Sequence, residues 1–121
     1  MSIVKTYVYN QGKGELHTFT GQAPTERADG NPIVASEIDH YIRHIAYRDA
    51  SGKWSELETM DVQLVDGQFS EQLNIDAVPV GHYEVWYQTV DTNGLVSEDS
   101  DAIALDIKAP LVNPNPPKVT G

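Results

Sequence analysis

The sequence contains no cysteine, few basic residues and no long apolar run, and each absence excludes a class of protein. Without cysteine, the chain has neither disulfide bonds nor thiolate metal ligands. With 8 basic against 18 acidic residues, its formal charge of -10 repels nucleic-acid phosphates and anionic lipid heads. No apolar stretch approaches the roughly twenty residues that cross a bilayer. We therefore expect neither nucleic acid nor membrane among its partners.

The start of the chain also lacks the features of an export signal. Residues 1–5 have neither the charged beginning nor the apolar middle of a secretion signal. We expect a complete small protein that this route does not export. Its 121 residues suffice for one domain, because a chain of this size buries roughly two-thirds of the surface that it exposes when unfolded.

What is present is a repeated alternation of apolar and polar residues over short stretches, which predicts an all-β domain. No window shows an apolar stripe with the period of a helix. Turn residues separate the stretches: Gly12 and Gly14 are typical of a hairpin, and Asp66-Gly67 between alternating runs is a strong hairpin signal. We predict seven strands, at residues 3–10, 16–20, 39–48, 57–64, 69–75, 83–90 and 102–107.

Seven strands at this spacing are typical of an antiparallel immunoglobulin-like sandwich, in which one face of each sheet is buried. After Ala109 the composition changes to a proline-rich stretch, which cannot donate a ladder of amide hydrogens and prefers an extended conformation. We therefore predict one sandwich domain over residues 1–109 and an extended C-terminal tail over residues 110–121.

Three segments, at 28–41, 78–83 and 90–97, resemble the fibronectin type III family, particularly its bacterial and phage versions. They contain Ala28-Asp29-Gly30-Asn31-Pro32-Ile33, Val78-Pro79-Val80-Gly81-His82-Tyr83 and Val90-Asp91-Thr92-Asn93-Gly94. The resemblance spans about residues 15–107 and implies a fibronectin type III sandwich. It also implies that Tyr83 is a corner tyrosine, whose ring packs inside while its hydroxyl bonds to the preceding backbone. Phe19 stands where the family usually has a core tryptophan.

Arg43 is the residue that fits this pattern least well. Strict alternation points it inward between Tyr41 and Ile45, which is costly for a charge unless the charge is paired or a bulge re-aims it. If Arg43 points inward, replacing it with leucine should leave stability unchanged or raise it. A loss of several kcal/mol would indicate a paired charge that the fold requires.

The chemistry of a catalytic or metal site is not recognisable in the sequence. His40 and His44 share one strand face but lack a third ligand, and His17 and His82 have no neighbours that would form a triad. A cluster of acidic and amide side chains near the last turn has the oxygen ligands that calcium prefers, but it does not have the spacing of a twelve-residue calcium loop. We interpret these as solvated side chains and expect no enzyme activity, no metal and no cofactor. The cluster of acidic and amide side chains consists of Asp91, Asn93, Glu98, Asp99 and Asp101.

These observations favour a non-catalytic attachment module. The specific hypothesis is a phage virion component, such as a capsid decoration or head-tail accessory protein, that docks on a repeating surface of capsid or tail proteins. Docking would bury an apolar strip, either the strand at residues 3–9 or Leu111 and Val112 of the C-terminal tail. Addition of a strand to a sheet edge is one physical route.

Two alternatives remain open. A carbohydrate-binding accessory module would stack Trp54, Trp86 or Tyr87 on a glycan, because aromatic faces pack against sugar rings. An adhesion or spacer domain of a bacterial surface protein is the other, and tandem repeats beyond Gly121 would support it. Outside a virion, we expect a soluble protein.

Overall fold

The computed structural model describes residues 2–57, 59–63, 65 and 68–121. They form a mostly β structure in which two sheets pack in a sandwich-like arrangement, with two short 3-10 turns and no α-helix in the described part. The all-β prediction is therefore confirmed. The strands are β1 (Ile3–Asn10), β2 (Leu16–Gly21), β3 (Ile38–Arg48), β4 (Trp54–Glu56), β5 (Met60–Val62), β6 (Phe69–Asn74), β7 (Gly81–Asp91) and β8 (Ala102–Lys108).

The larger sheet has the strand order β1-β8-β7-β3-β4, and β5 pairs with the same edge of β3 as β4 does. The smaller sheet contains β2 and β6. The strand predicted at residues 57–64 corresponds to the shorter β5, and β4 precedes it as a strand that was not predicted. β4 pairs with the end of β3 and β5 with its beginning. The Leu57 N–H bonds to the Ile45 carbonyl between them. Leu64 and the Asp66-Gly67 turn lie outside the described residues.

The first strand departs from the antiparallel expectation because β1 pairs with β8 in parallel. The chain crosses to the other sheet between β1 and β2, so the turn at Gly12 and Gly14 is not a hairpin within one sheet. Both glycines have positive φ, +95° and +66°, which a residue with a Cβ adopts at a cost. The Asp76 carboxylate accepts their N–H groups at 2.7 and 3.0 Å and holds the crossover.

The core lies between the two sheets, where alternate residues of each strand face inward. In the antiparallel ladder between β3 and β7, for example, Tyr47 is paired with Tyr83 and Ile45 with Val85. Complete burial of such side chains contributes about 1.5–3 kcal/mol each. The buried core cluster consists of Phe19, Tyr41, Val62, Phe69, Ile75, Tyr83, Val85, Leu105 and Ile107.

Tyr83 ties the core to the connection that precedes β7. Its ring is buried, and its hydroxyl donates a 2.6 Å hydrogen bond to the Pro79 carbonyl. Burial raises the pKa of Tyr83 to about 12, so the hydroxyl keeps its proton and remains a donor. Tyr47 makes a similar but more exposed bond, from its hydroxyl to the Val80 carbonyl at 2.7 Å. Two tyrosines therefore hold successive carbonyls of one connection.

Replacing Tyr83 with phenylalanine should lower the free energy of unfolding by about 1–2 kcal/mol, because it leaves the Pro79 carbonyl without its partner. Tyr47→Phe is the matched control. Since water can replace the exposed Tyr47 bond, we expect a loss below about 0.5 kcal/mol. Urea denaturation of both variants measures the difference, and equal losses would contradict a special role for the buried bond.

Arg43 does point inward, and it is paired. Its Nη1 donates to Glu71 Oε2 at 3.0 Å, and Tyr87 donates its hydroxyl to Glu71 Oε1 at 2.9 Å. Both charged side chains are mostly buried. Burial and the negative charge of Glu71 raise the pKa of Tyr87, so it stays a donor. The resulting inter-sheet network joins β3 and β7 of the larger sheet to β6 of the smaller one.

The pairing changes the expected effect of Arg43→Leu. Removing only the guanidinium leaves the mostly buried Glu71 carboxylate without its counter-charge, so we expect a loss of about 2–4 kcal/mol. The double variant Arg43→Leu/Glu71→Leu removes both charges and should recover most of that loss. Urea denaturation of the two single variants and the double variant measures the coupling. A neutral Arg43→Leu variant would show that the ion pair does not stabilise the sandwich.

Candidate functional site

The smaller sheet covers only part of the larger one, and a cleft of about 1160 Å³ opens between them. Among the described strands, β2 pairs only with β6, so the other edge of β2 borders the cleft without a strand partner. We refer to this space as the inter-sheet cleft. Its apolar wall includes Tyr7, Phe19, Phe69, Val85, Tyr87 and Ile103.

An ion-pair cluster holds the mouth of the inter-sheet cleft in shape. Arg27, in the connection between β2 and β3, donates to Asp91 at 2.9 Å and to Glu37 at 3.1 Å. The buried Asp91 also accepts the N–H groups of Asn93 and Leu95. Arg27, followed by these backbone donors, lowers the pKa of Asp91. Asp91 therefore organises the turn after β7 and is not one of a set of solvated acids.

The rim of the inter-sheet cleft is acidic. Glu26, Asp29, Glu98 and Asp101 line it, whereas Arg27 is the one arginine or lysine that lines it among the described residues, and two carboxylates already balance its charge. Lys5 lies over the ring of Tyr7 nearby, as a cation–π contact. Exposed apolar side chains, among them Val4 and Val96, stand between the acids. Apolar walls with a negative rim suit an apolar ligand that carries positive charge.

His17 lies within the inter-sheet cleft and was not predicted as part of any site. Its ring is buried between Tyr7 and Phe19, which approach it edge-on, with ring centroids 4.5 and 4.7 Å from its own. Its Nδ1 lies 2.6 Å from the Tyr9 hydroxyl. Burial lowers the pKa of His17 below its ordinary 6.5. The only signal in the sequence was its position two residues before Phe19, on the same face of β2.

These pKa shifts predict how stability depends on pH. The folded state resists protonation of His17, so the free energy of unfolding should begin to fall as the pH drops below about 6.5. It should fall again below about 4, because the lowered pKa of Asp91 and of Glu37 makes the folded state bind protons less readily than the unfolded chain. Urea denaturation from pH 8 to pH 3 measures both stages. His17→Phe should flatten the slope between pH 6.5 and 5 relative to the unchanged chain, and an unchanged slope would contradict the assignment.

The structure separates the aromatic residues that the sequence proposed for glycan contact. Trp54 and Trp86 lie on the outer face of the larger sheet, whereas Tyr87 faces the inter-sheet cleft. Trp86 stacks on His44, with ring centroids 5.4 Å apart and planes 6° apart. Arg48 lies over the Trp54 ring at 5.2 Å. The three aromatic side chains therefore do not form one surface.

The tail residues of the predicted interaction set, Leu111 and Val112, are exposed and are not among the residues that line the inter-sheet cleft. The histidines elsewhere have acidic neighbours: His82 Nδ1 lies 2.6 Å from Asp106 and Nε2 lies 2.9 Å from Glu84. Even so, no group of three or more histidine, aspartate or glutamate side chains in the described residues is arranged to hold a metal ion.

No protein-family model matches the chain, and no curated protein matches its sequence. Within the described residues, no helix has the length and apolar character needed to span a bilayer. The inter-sheet cleft is therefore the feature on which a proposal of function rests.

Proposed function

We propose that the chain is a non-catalytic attachment module, an immunoglobulin-like sandwich of the fibronectin type III kind that docks on another protein. The observation that carries this proposal is the open inter-sheet cleft beside the unpaired edge of β2. Apolar surface of this extent is usually covered, and where it is open it marks a binding site. The bare strand edge adds backbone donors and acceptors that a partner strand can satisfy.

Strand pairing supports the immunoglobulin-like assignment. In that fold the C, F and G strands form one sheet and B pairs with E in the other. Here β3, β7 and β8 lie side by side in one sheet, and β2 pairs with β6 in the other. The contact between Tyr83 and Pro79 suits the corner tyrosine of the family. The first strand of the fold belongs in the sheet of B, so the position of β1 beside β8 is a departure.

This departure supports the docking role. With β1 in the larger sheet, the place next to β2 that a first strand would occupy is vacant of any described strand. An extended segment of a partner protein fits that place, since it would pair with β2 and insert alternate side chains into the inter-sheet cleft. A phage virion remains the proposed setting, with capsid or tail proteins as the partners, and the resemblance of the sequence to phage members of the family is its support.

Carbohydrate binding requires accessible aromatic faces on one surface. On the outer face, His44 covers one side of Trp86 and Arg48 covers one side of Trp54. Tyr87 lies on the opposite face of the sheet and bonds to Glu71. We therefore place the docking site in the inter-sheet cleft and not on the outer face.

Selection of a displayed library of random decapeptides on the full chain tests this proposal. We expect enrichment of peptides with apolar residues at alternating positions, because only alternate side chains of an added strand face the inter-sheet cleft. Val96→Asp should weaken their binding by about tenfold or more, since it places a charge against an apolar contact.

Val8→Asp is the matched control. Val8 and Val96 are almost equally exposed, at 58% and 53%, but Val8 lies on the outer face of β1. Val8→Asp should therefore leave binding unchanged. No enrichment, or equal losses in the two variants, would remove the inter-sheet cleft as the docking site.

A further inference from the structure

We infer that the inter-sheet cleft of one molecule binds the C-terminal tail, residues 110–121, of a second copy of this chain. The inference rests on the proposed function for the location of the site and adds the identity of its occupant. The tail would lie as an added strand along the free edge of β2, with Val119 inserted between the sheets. Copies joined in this way form a head-to-tail assembly.

The tail exposes apolar side chains that no described part of its own molecule covers. Residues 110–121 form neither helix nor strand and are exposed throughout. Val119, which follows the prolines, is 83% exposed. Its burial requires another surface, and the inter-sheet cleft offers an apolar one.

The charge of the tail differs from that of the rest of the chain. The tail contains none of the 18 acidic residues of the chain, and its one charged side chain is Lys118. The rim of the inter-sheet cleft is acidic, because Glu26, Asp29, Glu98 and Asp101 are among its lining residues. A segment with one lysine and no carboxylate side chain is therefore repelled less by the rim than the acidic segments of this chain.

The positions of proline in the tail determine which of its residues can pair with β2. Proline has no N–H, so Pro114, Pro116 and Pro117 cannot extend a ladder of hydrogen bonds. Lys118, Val119 and Thr120 follow them with N–H groups available. Along an extended strand, Lys118 and Thr120 point to one side and Val119 to the other. Val119 can thus enter the apolar space while Lys118 stays among the acids of the rim.

The direction in which the tail leaves the domain indicates which molecule supplies it. Asn10 Nδ2 donates to the Ala109 carbonyl at 3.0 Å, so the tail leaves at the end of β1 and β8. The inter-sheet cleft lies at the other end, beside Val4 and Ile103. The seven residues of β8 place these ends roughly 20 Å apart. A stiff proline-rich tail would have to double back to reach its own cleft, but it can continue directly into the next molecule.

The resulting contact is heterologous, because the tail of one copy meets a different surface on the next. Such contacts build open chains unless the rotation between copies closes a ring. The formal charge of -10 on each copy opposes association, and added salt screens that repulsion as well as the attraction of Lys118 to the rim. Because each contact joins two molecules, we expect association that grows with protein concentration.

Sedimentation of full-length variants tests the inference. The unchanged chain should form oligomers as its concentration rises, and Val119→Asp should weaken the association by about tenfold or more because it removes the inserted apolar side chain. Val112→Asp is the matched control in the tail. It precedes the three prolines and should leave association within about twofold of the unchanged chain.

A labelled synthetic peptide of residues 110–121 provides the second measurement. We expect it to bind the full-length Val119→Asp protein, whose own tail no longer competes. Adding Val96→Asp to that protein should weaken peptide binding by about tenfold or more, and adding Val8→Asp should not change it. Lys118→Glu in the peptide should also weaken binding, most strongly at low salt.

Two results would overturn the inference. One is a chain that remains monomeric at all concentrations, and the other is an oligomer or a bound peptide that is insensitive to both Val119→Asp and Val96→Asp. Either result leaves the proposed function separable, because library peptides that require an intact Val96 would still identify the inter-sheet cleft as a docking site for a different protein.

Discussion

The parallel pairing of β1 with β8 is the constraint on which the rest of the structure depends. The ladder runs from Lys5 opposite Ile103 to Asn10 opposite Lys108 and places the first strand at the edge of the larger sheet. The chain must then cross to the smaller sheet before β2 begins, which requires two glycines of positive φ and the Asp76 carboxylate. The smaller sheet is left with two strands, and the inter-sheet cleft is the consequence.

A sandwich with so little cover uses charge to hold its sheets in position. Arg43 and Glu71 connect the two sheets inside the core, and Arg27 connects the loop after β2 to Asp91 at the end of β7. Inward ion pairs contribute less than apolar contacts of the same size, because both charges lose water. They are directional, however, and Arg43 and Glu71 link the two sheets beside the open space.

Local pattern predicted most of the strands but not their partners. The bounds of β1, β2 and β8 agree with prediction to within one residue, because alternation and turn residues are local properties. The strand predicted at residues 57–64 is represented by the shorter β5, and β4 was not predicted, because both strands depend on which parts of β3 are free to pair. Seven strands also became eight in the described residues. The inward direction of Arg43 followed from alternation, but its partner Glu71, 28 residues away, did not.

By itself, the sequence determined that this chain forms strands, that its surface is strongly acidic, and that its tail is rich in proline and free of acidic side chains. These properties follow from side-chain chemistry and short-range backbone preference. Only the tertiary structure decided that β1 joins β8, that β2 has no second partner among the described strands, and that His17 and five acidic side chains line one apolar space. The physical reason is that strand pairing is a choice among distant partners of similar local energy, and the packing of the whole domain makes that choice.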